Sequence, residues 1–143
     1  MALANTQAIM TRKAHIGNCF IGTAETSVTA PTNMERLISA VGIPNGLRIK
    51  GFLARGRGTT TEDKVTLWLY EGNNTGTGQD LWYWEDFIVP AATPGSGQRA
   101  ARYYYALEEP FTLPENWEIW ASCHAGQDFN IFAYAADFEK ISS

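Results

Sequence analysis

ARYYYALEEPFTLPENWEIWASCHAGQDFNIFAYAADF, residues 101–138, is the stretch whose reading decides the fold. It divides into three strands. Ala101–Leu107 is rich in aromatic residues. Asn116–His124 alternates strictly, with Trp117, Ile119, Ala121 and Cys123 on one face and Glu118, Trp120, Ser122 and His124 on the other. Phe129–Asp137 sets Phe129, Ile131 and Ala133 against Asn130, Phe132 and Tyr134. A period of two with one apolar side marks a half-buried antiparallel strand. Ala125-Gly126-Gln127-Asp128 supplies the Gly and Asp that a hairpin turn needs. Pro110 and Pro114 bracket the previous connection, where neither can donate to a ladder. The reading is a meander, with Glu108-Glu109 before Pro110 as a strand end.

Working outward, Leu81–Val89 is a strand apolar on both faces, between a hairpin loop at Gly72–Gln79 and a Pro/Gly/Ser loop at Pro90–Gln98. Val65–Tyr70 places Val65, Leu67 and Leu69 inward and Thr66, Trp68 and Tyr70 outward. Pro44-Asn45-Gly46 is a turn, because Pro fixes φ and Asn-Gly accepts positive φ. It leads into a strand through Arg55, then a loop at Gly56–Asp63. Ala14–Thr23 reads as a first strand, with Ile16, Asn18 and Phe20 opposing Gly17, Cys19 and Ile21. Pro31–Val41 is a conflict: Met34, Leu37, Ile38 and Val41 keep a helical period, and Thr32–Glu35 fits a capping box. Seven or eight short strands between turn clusters argue for an all-β antiparallel sandwich or jelly roll with little or no helix. Residues 1–13 read as an N-terminal arm and residues 14–143 as a single β-sandwich domain.

Composition narrows the function. The net charge is −4, and Lys and Arg are scattered apart from Arg12-Lys13 and Arg55-Gly56-Arg57. No basic stripe tracks a phosphate backbone, so nucleic acid is not expected as a partner. Neither a membrane span nor a signal peptide is expected, and the chain reads as a soluble protein. Cys19 and Cys123 read as reduced, buried thiols.

Motifs for chemistry are weak. Gly72-Asn73-Asn74-Thr75-Gly76-Thr77-Gly78 lacks the following helix and the Lys of a phosphate loop. His15, Cys19, Cys123, His124 and Asp128 are the metal candidates, but neighbours in a strand face opposite ways, so no metal and no cofactor is expected. Glu85-Asp86, Glu108-Glu109 and Glu115 with Glu118 could form a hydrolytic carboxylate pair, yet nothing selects one. The chain is not expected to be an enzyme.

Aromatic residues make up 13% of the chain, against 18% charged residues. With Val65/Leu67/Leu69, Tyr103/Tyr105/Leu107, Trp117/Ile119/Ala121 and Phe129/Ile131/Ala133 as core faces, the opposite faces carry Trp68, Tyr70, Tyr104, Trp120, Phe132 and Tyr134. Trp82 and Trp84 join them if Tyr83 and Phe87 point inward. Each ring buries on the order of 150–250 Å², so this set exceeds the patch a monomer normally exposes. These eight residues are the candidate interface, covered by another subunit, a large partner or a sugar.

The succession Gly42-Ile43-Pro44-Asn45-Gly46-Leu47-Arg48-Ile49, Gly58-Thr59-Thr60-Thr61, Val65-Thr66-Leu67-Trp68-Leu69-Tyr70, Phe87-Ile88-Val89-Pro90, Leu113-Pro114-Glu115-Asn116-Trp117, Asp128-Phe129-Asn130-Ile131 and Ala136-Asp137-Phe138 resembles small all-β virion proteins of tailed bacteriophages. The resemblance spans roughly residues 28–138 and carries no catalytic residue. It implies a strand over Met34–Val41, against the helical period of the same residues. It also implies a decoration (cement) protein of the virion, assembled in the host bacterial cytoplasm. Its partner would be the major capsid protein or another virion protein, and it would form a homo-oligomer, a trimer in preference to a dimer. The alternative is a carbohydrate-binding sandwich of a tail, fibre or neck.

Overall fold

Consecutive strands in this chain cross between two sheets instead of running side by side. The structure, a computed structural model, describes residues 9–72 and 81–140. Among them are β1 (Ile9–Ile21), β2 (Glu35–Ser39), β3 (Leu47–Gly56), β4 (Asp63–Glu71), β5 (Leu81–Val89), β6 (Arg102–Leu113), β7 (Trp117–Cys123) and β8 (Phe129–Lys140), and no helix. They form two antiparallel sheets of order β1-β8-β3-β6 and β2-β7-β4-β5. Among the described strands, only β4 and β5 are neighbours both in sequence and in a sheet, the order expected of an eight-stranded jelly roll.

The sandwich expected from the alternation is thus present, but the meander is not. β6 and β8 lie in one sheet and β7 in the other, so residues 124–128 form an arch between sheets, not a hairpin. Turn residues are the same in both cases. What holds this arch is the buried Asp63 at the start of β4, whose carboxylate accepts the N–H groups of Ala125 (2.8 Å) and Gln127 (3.2 Å).

The inward residues of both sheets meet in one core: Leu47, Ile49, Phe52, Val65, Leu67, Phe87, Leu113, Ile119, Phe129 and Ile131 are all buried. Burying side chains of this size stabilises by about 1.5–3 kcal/mol each. Trp117 and Leu69 reach the core from partly buried positions. Tyr103 and Tyr105 also point inward and stack on Phe87, but β6 is an edge strand and Tyr103 stays 37% exposed.

Three bulges explain where simple alternation fails. In β2, Arg36 pairs with Trp120 and Ile38 with Ile119, leaving Leu37 as the extra residue. A bulge turns two successive residues to one side, so Leu37 and Ile38 are both buried. That pair mimics a helical period in a strand, and Val41 lies outside it, exposed. In β3, Lys50 is extra against β8. In β5, Trp84 is extra between Glu85 and Tyr83.

The ends of the expected elements shift. Residues 9–13, read as part of an arm, belong to β1; Ile9–Thr11 pair with the end of β8, and the register is irregular between Thr11 and Ala14. Residues 1–8, 73–80 and 141–143, which include most of the expected hairpin loop, lie outside the described residues. The turn at Asn45-Gly46 forms as expected, with φ of 69° and 76°. Glu108-Glu109 is not a strand end, because β6 resumes to Leu113.

Glu25 organises the connection from β1 to β2. Its carboxylate accepts the N–H groups of Ser27 (2.9 Å), Thr32 (2.6 Å) and Asn33 (2.7 Å), while its own N–H donates to the Cys123 carbonyl. The bond from Asn33, then those from Ser27 and Thr32, hold its pKa below the ordinary glutamate value, against an opposing effect of burial.

Two measurements check this fold. Phe52→Ala should cost about 3–5 kcal/mol in urea denaturation, the range for a buried aromatic truncation; a loss under about 1 kcal/mol would place Phe52 outside the core. Glu25 is depressed in the folded state, so its contribution is present above the unfolded value of about 4.3 and is lost as pH falls through the folded value. Wild type should therefore exceed Glu25→Gln in urea midpoint at pH 7, and the gap should close in acid. A gap independent of pH would contradict the role of the carboxylate.

Candidate functional site

The eight aromatic residues singled out from the sequence fall into three places. Trp68, Tyr70 and Trp120 lie on the outer face of the β2-β7-β4-β5 sheet, where Trp68 pairs with Trp120 across β4 and β7. Tyr83 joins them, opposite Trp68. Trp68 is only 2% exposed: Tyr83 lies edge-on to it at 5.2 Å, and its indole N–H donates to Ser122 Oγ at 2.9 Å. It serves this face as foundation, not as contact surface. Around it, Tyr70 meets Trp120 edge-on at 6.3 Å. The buried Glu118 carboxylate accepts from Trp120 Nε1 (3.3 Å) and from the exposed Arg36 guanidinium (3.2 Å). Tyr83 donates to Asp86.

Trp82 and Trp84 are not on that face. Strict alternation from the inward Phe87 would turn both outward, but the bulge at Trp84 reverses the parity below it. Trp84 packs into the open mouth between the sheets against Phe52 (6.0 Å) and Phe111 (4.6 Å). Trp82 stacks on Trp117 at 5.7 Å and remains exposed. Tyr83 takes the outward position, which strand periodicity alone could not reveal.

Tyr104, Phe132 and Tyr134 occupy the outer face of the β1-β8-β3-β6 sheet. The registers define four outward rows: Phe20, Asn130, Arg55 and Arg102; Asn18, Phe132, Leu53 and Tyr104; Ile16, Tyr134, Gly51 and Ala106; Ala14, Ala136, Arg48 and Thr112. Four strands by four rows cover on the order of 500 Å². The apolar part of that area, around Ile16, Phe20, Tyr104, Phe132 and Tyr134, is smaller than the whole, and apolar patches of a few hundred Å² on a monomer are often functional. Ile16 is 63% exposed, and Phe20 and Tyr104 are 44% exposed. Tyr104 lies over Gly51, where an added Cβ would collide with its hydroxyl, so the glycine leaves room for the ring on the strand. Arg57 sits over the Phe20 ring at 4.4 Å. A hollow of about 430 Å³ opens between Leu53, Arg55, Gly56, Asn130, Phe132 and Tyr134. Ile16, Phe20 and Leu53 were not singled out from the sequence, although the alternation of β1 already put Ile16 and Phe20 together.

The remaining candidates are dispersed. Glu85 faces the mouth of the sandwich and accepts from Tyr105 Oη at 2.6 Å, whereas Asp86 faces outward. That bond to Glu85, and then burial, push the Tyr105 pKa up to about 12. Glu108 and Glu109 are exposed beside a cleft of about 410 Å³ that Trp84, Glu85 and Phe111 also line. Cys123 is buried and Cys19 partly so, and both are free thiols. Burial first, with Glu35 adding, raises Cys19 to about 12; burial, with Asp63 adding, raises Cys123 to about 11. His15 Nε2 lies 3.2 Å from the Asp137 carboxylate. Among the described residues, no three His, Cys, Asp or Glu side chains gather where they could hold a metal ion.

No family model, no curated protein and no solved structure matches this chain.

If Trp68 is foundation, its buried donor must keep its acceptor. Ser122→Ala should cost about 1–3 kcal/mol, the penalty for an unsatisfied buried group, with the far-ultraviolet circular dichroism unchanged. A thermal midpoint equal to that of wild type would contradict this assignment.

Proposed function

We propose that this chain is a non-enzymatic structural protein that works by docking the outer face of its β1-β8-β3-β6 sheet onto another protein. The observation that carries the reading is the apolar field on that face, the exposed Ile16, Phe20 and Tyr104 beside the half-buried Phe132 and Tyr134 and the buried Leu53, with arginines at its ends. Tyr, Phe and Arg are residue types enriched in interfaces, whereas Lys, Glu and Asp are depleted there. The sequence resemblance to small virion proteins of tailed bacteriophages supplies the setting: a capsid decoration protein that stabilises the head by binding the major capsid protein. In that role the bonding is non-covalent, from apolar burial and charge-assisted contacts at the rim.

A second reading rests on the opposite sheet. Tyr70, Tyr83 and Trp120, beside the Arg36–Glu118 pair, combine aromatic surface with fixed hydrogen-bonding groups, as a carbohydrate-binding module requires.

The two readings separate by substitution. Mass spectrometry of purified particles should find this chain in a copy number that matches the capsid lattice. Tyr104→Asp should weaken binding to particles stripped of the chain by at least about tenfold, as for an interface hot spot, while Trp120→Asp leaves it unchanged. The reverse result, with glycan-dependent tryptophan fluorescence abolished by Trp120→Asp, would replace docking by sugar binding.

A further inference from the structure

The arginine-ended face needs a partner of opposite charge, and the chain carries one. We propose that the occupant of this face is a second copy of the same chain, seated through the acidic excursion of β6. This rests on the docking reading above but puts a second copy in the place of the capsid protein as direct occupant of that surface, so that particle binding is made by the assembled oligomer.

The excursion is built by register. Ile49 pairs with Phe111 and Gly51 with Ala106, so four residues of β6, 107–110, stand opposite Lys50 alone. Among the described residues, β6 is the edge strand of its sheet. Glu108 and Glu109 therefore project from an open edge, both exposed, between the partly buried Leu107 and Phe111. Arg48 and Lys50 line a neighbouring cleft with them, without an ion pair to either among the described residues. The result is a protrusion with an apolar base and two free-standing carboxylates.

The receiving surface has the complementary layout. Its hollow has apolar walls from Leu53, Phe132 and Tyr134, with Arg55 and Asn130 at one end. Arg102 lies beside Arg55 in the same row. The four outward rows contain no Asp or Glu, and among the described residues Arg55 and Arg102 have no ion-pair partner. Stacking two identical faces would bring Arg48 at one end and Arg55 with Arg102 at the other against like charges. A carboxylate-tipped protrusion meets them with opposite charge, and Arg can hold a carboxylate through two parallel N–H bonds. Because two different surfaces meet, the contact is head-to-tail, and it closes into a ring when the rotation per copy divides a full turn.

Sedimentation velocity of the full chain at high micromolar concentration should show a discrete oligomer. Arg55→Glu and, separately, Glu108→Arg with Glu109→Arg should each sediment as monomers. An equimolar mixture should associate again, since the basic protrusion of one variant fits the acidified hollow of the other and the remaining pair is native. Misfolding cannot be repaired by such mixing. A monomeric wild type, variants that assemble like wild type, or a mixture that stays monomeric would each overturn the second-copy assignment. If wild type is monomeric yet Arg55→Glu abolishes particle binding, the face docks on another protein and only the partner was misassigned. If Arg55→Glu binds particles like wild type, the docking reading falls too.

Discussion

Burial of the two inner sheet faces against each other is the constraint on which the rest of this structure depends. Phe52, Phe129 and Ile131 from one sheet meet Val65, Leu67 and Ile119 from the other, and these side chains exclude water completely or nearly so. A sheet that is apolar on one side is stable only when that side is covered. Consecutive strands that cross between layers supply both halves of the core from one chain. The connections then have to arch over the ends of the sandwich. Two buried carboxylates hold arches there: Glu25 gathers the loop between β1 and β2, and Asp63 gathers the loop between β7 and β8.

Since aliphatic residues fill most of the core, many of the aromatic residues are left for three other positions. Trp84, Phe111, Tyr103 and Tyr105 close the mouth between the edge strands β5 and β6. Trp68 is roofed over on one outer face by Tyr83. Tyr104, Phe132 and Tyr134 lie on the other outer face, with arginines at its ends, in a protein whose net charge is −4. That contrast gives the face a direction: it favours acidic surfaces and disfavours stacking on an identical face. Electrostatic matching of this kind chooses partner and register more than it adds affinity, while the apolar centre supplies the larger part of the binding energy.

The sandwich was legible in the sequence because Trp117-Ile119-Ala121-Cys123 and Phe129-Ile131-Ala133 alternate cleanly, and a half-buried strand leaves no other pattern. Which strands pair was not legible. The residues of an arch and of a hairpin are the same, so Ala125–Asp128 reads as either. The bulges were equally hidden. An extra residue at Leu37 imitates a helix, and one at Trp84 exchanges Trp82 for Tyr83 on the outer face. Of the aromatic residues singled out, Tyr104, Phe132 and Tyr134 could be assigned to an outer sheet face by parity alone, because β6 keeps its register from Arg102 to Ala106 and β8 keeps its own through Phe132 and Tyr134. Trp68 has the parity of a surface residue, and only its neighbours across the strands bury it.

The central claim is that the face carrying Tyr104 and Tyr134 is covered when the protein is at work. Hydroxyl-radical footprinting read by mass spectrometry tests it directly, comparing the chain in dilute solution with the chain in its native assembly. The account predicts strong protection at Phe20, Tyr104, Phe132 and Tyr134 in the assembly, with Tyr83 and His124 labelled equally in both states. Equal labelling of Tyr104 and Tyr134 in both states, or protection centred on Tyr83 and Trp120, would contradict it.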